Sequence, residues 1–230
     1  MAIIKTIPWD DGSGDNIYLD SNASEGNQTV TVSSDANTGA ARTKIITFAT
    51  GVGNVSEVLT VSQAAVEKTQ YTVSLKPYAY DTEHHSYYGL GNIANAYTNY
   101  TSTSYATINF TRGNNAETYI YFLFNIPSIP QDATIDSIEL KAKAYVNTAV
   151  GSRLGKRVLR VCRGTEPIGA ETSNMTTSEK VYDLDIGEGW TPENIGDLTL
   201  KVNVFRGTQS TSNSYYCYFF GATLTITYTV

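Results

Sequence analysis

Thr43-Lys-Ile-Ile-Thr-Phe-Ala-Thr50 and Ser56-Glu-Val-Leu-Thr-Val-Ser-Gln63 are two β-branched runs joined through Gly51-Val-Gly53, and Thr29-Val-Thr-Val32 precedes them across the turn-rich segment 33–42. Val30 and Val32 fall on one face of an extended chain and Thr29 and Thr31 on the other, and Leu59 and Val61 repeat the alternation. A period of two with one apolar face is the pattern of a half-buried strand. Ser, Asp, Asn and Gly between the runs supply turn chemistry. The spacing predicts three antiparallel strands of a small sandwich.

Working outward, the rest of the chain has the same character. Tyr numbers 17, Thr is abundant, and no segment sustains a helical period, so the 230 residues read as all-β. Tyr71-Thr-Val-Ser-Leu75, Tyr105–Phe110 and Tyr119–Phe124 are strand-like, the last apolar on both faces and therefore expected in the middle of the sandwich. The cleanest alternation lies at residues 134–144, where Ile138, Leu140, Ala142 and Ala144 point inward and Glu139, Lys141 and Lys143 outward. Shorter strands are expected at 158–162, 180–184, 198–205 and 215–219, with a terminal one from Gly221 to Val230. The polar bridge 64–70 divides the chain into a domain at 1–66 and a larger one at 71–230. The expected fold class is a small immunoglobulin-like β-sandwich followed by a larger jelly-roll-type β-sandwich.

Two resemblances bear on function. The run from Ser33 to Phe48 followed by Leu59-Thr-Val-Ser-Gln63 resembles the C-terminal half of a BACON domain, an immunoglobulin-like module common in Bacteroidetes and their phages. The earlier strands of that module have only Ile3 to Trp9 and Asn16 to Leu19 to form them, so the copy is short, and a sandwich completed by a partner strand is one consequence. Phe124-Asn-Ile-Pro, Ala133-Thr-Ile-Asp-Ser-Ile-Glu-Leu140, Gly189-Trp-Thr191 and the terminal Gly221–Tyr228 run resemble sandwich domains of phage structural proteins and surface adhesins. Together they imply a virion protein of a crAss-like phage of Bacteroidetes, assembled in the host cytoplasm. Its expected role is capsid decoration or head-fibre formation, with the major capsid protein or other virion proteins as partners and with homo-oligomerisation. Docking on the shell is expected through Trp9, Ile3, Ile4 and Ile7.

Composition excludes some classes. A net charge of −6, with 3 basic and 7 acidic side chains in residues 1–66 and 13 and 15 in the rest, offers no basic face for nucleic acid or an anionic membrane. No apolar stretch reaches membrane-spanning length, and the N-terminus lacks the pattern of a secretory signal. Cys162 and Cys217 lie in separate apolar runs and read as buried thiols.

Candidate chemistry is sparse. Glu83, His84 and His85 are adjacent and point opposite ways in an extended segment, and no third ligand lies near, so no metal or cofactor is expected. Asp183, Asp185 and Glu188 read as turn acids rather than a glycosidase pair. There is no Gly-x-Ser-x-Gly elbow. The chain is expected not to be an enzyme. Arg157 and Arg163 share one strand face and Arg160 the other, which argues against one anion patch. Asn-x-Ser/Thr sequons such as Asn22-Ala-Ser24 and Asn109-Phe-Thr111 follow from composition. The alternative to a virion structural role is a carbohydrate-binding adhesin, of a tail fibre or a bacterial surface, that holds host-surface glycan on a Tyr-rich loop at 78–100. Its candidate residues are Tyr80, Tyr87, Tyr88, Tyr97 and Tyr100, because sugar faces stack on exposed aromatic rings.

Overall fold

A computed structural model describes residues 2–21, 30–49, 56–83, 89–110, 117–147, 154–206 and 215–230. The chain is all-β and divides into two compact units, Met1–Lys68 and Thr69–Val230.

Among the described residues the first unit is a sandwich of five strands in two sheets. Strands β1 (Ala2–Pro8), β2 (Asn16–Ser21) and β3 (Val30–Ser34) form one antiparallel sheet, and β4 (Arg42–Ala49) and β5 (Ser56–Gln63) form the other. The three expected strands all form, divided between the two sheets. β3 pairs with β2, from Ile17↔Ser34 to Ser21↔Val30, whereas among the described residues β4 pairs only with β5. The intervening loop crosses between the sheets, and Asp35 holds its start against β2 by accepting a hydrogen bond from the Asn16 N–H at 2.8 Å. Trp9, Ile17, Leu19 and Ile46 are the buried core, with Ile7, Val32, Phe48, Leu59 and Val61 packed around them.

The second unit is a larger two-sheet sandwich. Its strands are β6 (Gln70–Leu75), β7 (Pro77–Tyr80), β8 (Gly89–Gly91), β9 (Ala106–Phe110), β10 (Glu117–Phe124), β11 (Thr134–Val146), β12 (Leu154–Arg163), β13 (Glu166–Pro167), β14 (Lys180–Leu184), β15 (Leu198–Arg206) and β16 (Tyr215–Thr229). One sheet has the order β13-β12-β15-β10-β7 and the other β14-β11-β16-β9-β8, with β6 also on β16. From β9 to β16 the long strands alternate between the two sheets. Each connection between these long strands therefore passes from one sheet to the other, while the two-residue β13 stays beside β12, and the inward side chains of the two sheets meet in the core. Phe122 and Phe219 stack across it with centroids 4.5 Å apart.

Two sequence expectations change in this unit. The expected Tyr-rich loop at 78–100 is not all loop: it contains most of β7, β8 and a 3-10 turn at Ile93–Ala96, pieces too short to show a period. The runs 215–219 and 221–230 are not two strands but one. The ladder with β11 passes from Lys143↔Gly221 to Ala144↔Phe219, which leaves Phe220 as the extra residue of a bulge. The bulge resets the alternation, so Cys217 and Phe219 before it and Ala222, Leu224 and Ile226 after it are all buried in one core. Gly221 has φ +130, and a Cβ there would lie 2.2 Å from the Thr98 carbonyl oxygen, which accepts the Ala222 N–H at 3.1 Å. The neighbour of β16 changes at this point, from β9 on one side of the bulge to β6 on the other.

Candidate functional site

On β11 and β16 the residues between the core positions face away from the core. Tyr145 alternates with buried Ala144 and Val146, and Tyr216 and Tyr218 alternate with buried Cys217 and Phe219. The antiparallel register sets Tyr145 directly opposite Tyr218, and their rings stack at 4.5 Å with an interplanar angle of 19°. Tyr216 continues the row, tilted by 33° at 6.4 Å from Tyr218. Tyr105, at the entry to β9, closes the other end edge-on, 5.0 Å from Tyr218 and 6.3 Å from Tyr145. These tyrosines form a comb on the outer face of the six-stranded sheet.

The comb has a floor. Phe220, displaced by the bulge, faces outward yet has no exposed surface, because Tyr105 lies 5.3 Å and Tyr145 6.0 Å from its ring and the Lys143 ammonium stands 4.2 Å above it. Lys143 is held there by Glu179 at 2.7 Å and by the Ser102 carbonyl at 3.3 Å. Tyr216 is fixed through its backbone, which exchanges 3.1 Å hydrogen bonds with Asn147. Burial, then the neighbouring phenols of Tyr105 and Tyr218, hold the Tyr145 hydroxyl protonated above the usual tyrosine range. The Lys143 and Glu179 charges beside the comb are paired with each other, so it presents hydroxyls and ring surface.

The residues singled out in the sequence sit elsewhere. Trp9 is 5% exposed and belongs to the first unit's core, with the Arg42 guanidinium 4.5 Å above its ring, so its indole is a packing element rather than a projecting arm. Ile7 packs against that core; Ile3 and Ile4 lie in β1, and their side chains fall outside the described residues. Tyr80 and Tyr97 are half-buried against the larger core, and burial followed by the proximity of Tyr80 raises the Tyr97 pKa. Tyr100 is partly buried, and Tyr87 and Tyr88 lie outside the described residues. Of the candidate tyrosines, only Tyr80 and Tyr97 among the described residues pack against the core, and the structure does not gather the five into one site.

Glu83 is exposed, and His84 and His85 are outside the described residues. Asp185 ties a loop, accepting the Ala170 and Gly187 N–H groups at 2.8 and 3.0 Å, which lowers its pKa. Asp183 faces Lys141 at 3.6 Å. Among the described residues no three His, Cys, Asp or Glu side chains converge. Arg157 is buried, Arg160 contacts Glu171, and Arg163 stacks 4.9 Å over Trp190, so the arginines do not form one patch.

Sequence reasoning missed the comb and one further cluster. The comb carried a signal, outward-parity tyrosines on the two longest strands, but their register is a tertiary fact. In the first unit, Arg42 is 7% exposed and gathers the β1–β2 turn: it meets Asp15 at 2.8 Å, Asp11 at 3.1 Å and the Gln63 side chain at 2.7 Å. No protein-family model matches this chain, and no curated protein matches it.

Proposed function

We propose that this chain is a non-enzymatic glycan-binding protein whose larger unit holds a neutral sugar on the comb of Tyr105, Tyr145, Tyr216 and Tyr218. The observation that carries the reading is the stacked pair of Tyr145 and Tyr218 with Tyr216 and Tyr105 at its ends, on a rigid sheet and with adjacent charges already paired. Phenol rings offer apolar area for the C–H faces of a sugar, and their hydroxyls donate to and accept from its hydroxyl groups. A neutral ligand fits because an anionic one would have to compete with Glu179 for Lys143. Beyond the bulge the same face continues as partly exposed Thr223, Thr225 and Thr227, the last within 3.2 Å of Thr72, which adds further hydroxyl partners.

The test is a neutral-glycan array followed by calorimetric titration of the best binder. Tyr145→Ala and Tyr218→Ala are each expected to weaken binding by about tenfold, from about 1–1.5 kcal/mol per lost ring contact. Tyr78→Ala, 55% exposed and away from the comb, is the control expected to leave binding unchanged. Equal binding by all three variants would end the reading.

A second reading, the virion structural protein implied by the resemblances, is favoured by a different surface. Ile45 and Val58 are 64% and 61% exposed on the outward face of β4–β5 in the first unit, an apolar surface suited to a protein partner such as a capsid component. Cryo-electron microscopy of virions from a phage encoding the chain would decide it. Density on the shell supports decoration, and its absence from every particle leaves the adhesin reading alone.

A further inference from the structure

Strand edges expose unpaired N–H and C=O rows, and folds protect them with proline, lysine, bulges or brevity. This chain uses those devices at most of its edges. β1 has a bulge between Ile3 and Lys5 and ends at Pro8, β3 has five residues, and β4 carries Arg42 and Lys44. In the larger unit β7 is four residues beginning with Pro77, β8 three, β13 two, β14 carries Lys180 and Asp183, and β6 is bracketed by Lys68 and Lys76.

β5 has no proline, lysine, bulge or brevity, and Glu57 is its one charge. Its eight residues, Ser-Glu-Val-Leu-Thr-Val-Ser-Gln, pair with β4 along their whole length without a bulge, contain no proline, glycine or cation, and among the described residues no other strand pairs with their far side. Among the described residues the sheet to which β5 belongs has two strands, and a two-stranded sheet by itself is marginal in water. The unit around it is small, its buried core among the described residues is four side chains, and both cysteines lie in the other unit, so no disulfide braces it. Small domains of this kind are commonly braced by oligomerisation.

We propose that the first unit self-associates through β5, two copies pairing antiparallel about a two-fold axis at Thr60 to make a continuous four-stranded sheet. The register follows from the pleat. Residues opposite each other in an antiparallel pair share a face, so inward Leu59 and Val61 must meet inward residues. Centring on Thr60 sets Leu59 against Val61 of the second copy, Val58 against Ser62, and Glu57 against Gln63. Centring on Leu59 instead would set Glu57 against Val61. The chosen register extends the apolar inner face and leaves the single charge of the strand opposite a polar amide.

Light scattering of the full chain over a concentration series tests this, together with single-cysteine crosslinking. The wild type is expected to dimerise, and Val58→Lys with Thr60→Lys to be monomeric with unchanged far-ultraviolet circular dichroism. Both positions face solvent, and the ammonium introduced at position 60 would meet the same charge on the second copy. Thr60→Cys is expected to crosslink to itself on mild oxidation, and Ser62→Cys, which faces Val58, not to. A wild type that stays monomeric throughout the series overturns the proposal, as does a dimer that survives the lysine pair. If the lysine variant unfolds, the cysteine pair decides: crosslinking at 60 and not at 62 supports the interface, and any other pattern overturns it.

Discussion

Arg42 shows how one side chain organises a segment that looks like loop. Its guanidinium stands over the Trp9 ring and bridges Asp11 and Asp15, which ties the Asp10–Asp15 turn to the core. Hydrogen bonds from the Ser13 hydroxyl and N–H, with Arg42 adding to them, hold the Asp11 carboxyl at a pKa of about 2. Its contribution to stability is therefore complete above the ordinary carboxylate range near 3.8 and is lost as pH falls toward 2. Asp11→Asn is expected to flatten the acid limb of the first unit's unfolding curve, followed by Trp fluorescence between pH 5 and about 2. Trp9→Ala should destabilise the same unit by roughly 3–5 kcal/mol in urea, the cost of emptying a buried indole site. The thiols behave as core groups: burial raises Cys162 to about 11 and Cys217 to about 12. Both should resist alkylation at neutral pH until the larger unit is denatured, which mass spectrometry of iodoacetamide adducts would read.

At the scale of elements, β16 is the spine of the larger unit. It pairs with β11 along one side and with β9 and then β6 along the other, and the exchange needs a residue without a side chain where the Thr98 backbone enters. Gly221→Ala is expected to cost roughly 2–3 kcal/mol, because the new methyl meets backbone that cannot withdraw and the positive φ is strained for alanine. The same substitution should loosen the comb, since Phe220 is its floor, so glycan affinity is expected to fall with stability. The strands themselves were legible from alternation: β11 and β14 lie where the residue pattern put them, and β10, apolar on both faces, buries Ile120, Phe122 and Phe124 on one face and Tyr121 on the other. What alternation could not show was the break in phase at Phe220. A bulge changes parity without changing composition, so one bent strand read as two.

For the whole molecule, each unit has its own buried core, and residues 69–230 alone are expected to fold and to bind glycan with the full chain's affinity in the same titration. The comb should also be insensitive to pH across the neutral range, because Tyr145 keeps its proton beyond the point where an exposed tyrosine, near 10, would lose it. Since its folded pKa is raised, its contribution to stability is present below the unfolded value and disappears as pH rises through the folded one. Tyr145→Phe, compared with wild type in alkaline unfolding, should shrink that loss. Local chemistry along the chain determined the all-β class, the strand faces and the buried thiols, because alternation, turn residues and apolar content act over a few residues. Pairing was decided only in three dimensions. Which strand lies beside which depends on loops crossing the core, and that choice separated β3 from β4, carried Arg42 onto Trp9, and brought Tyr105, Tyr145 and Tyr218 from distant positions onto one face.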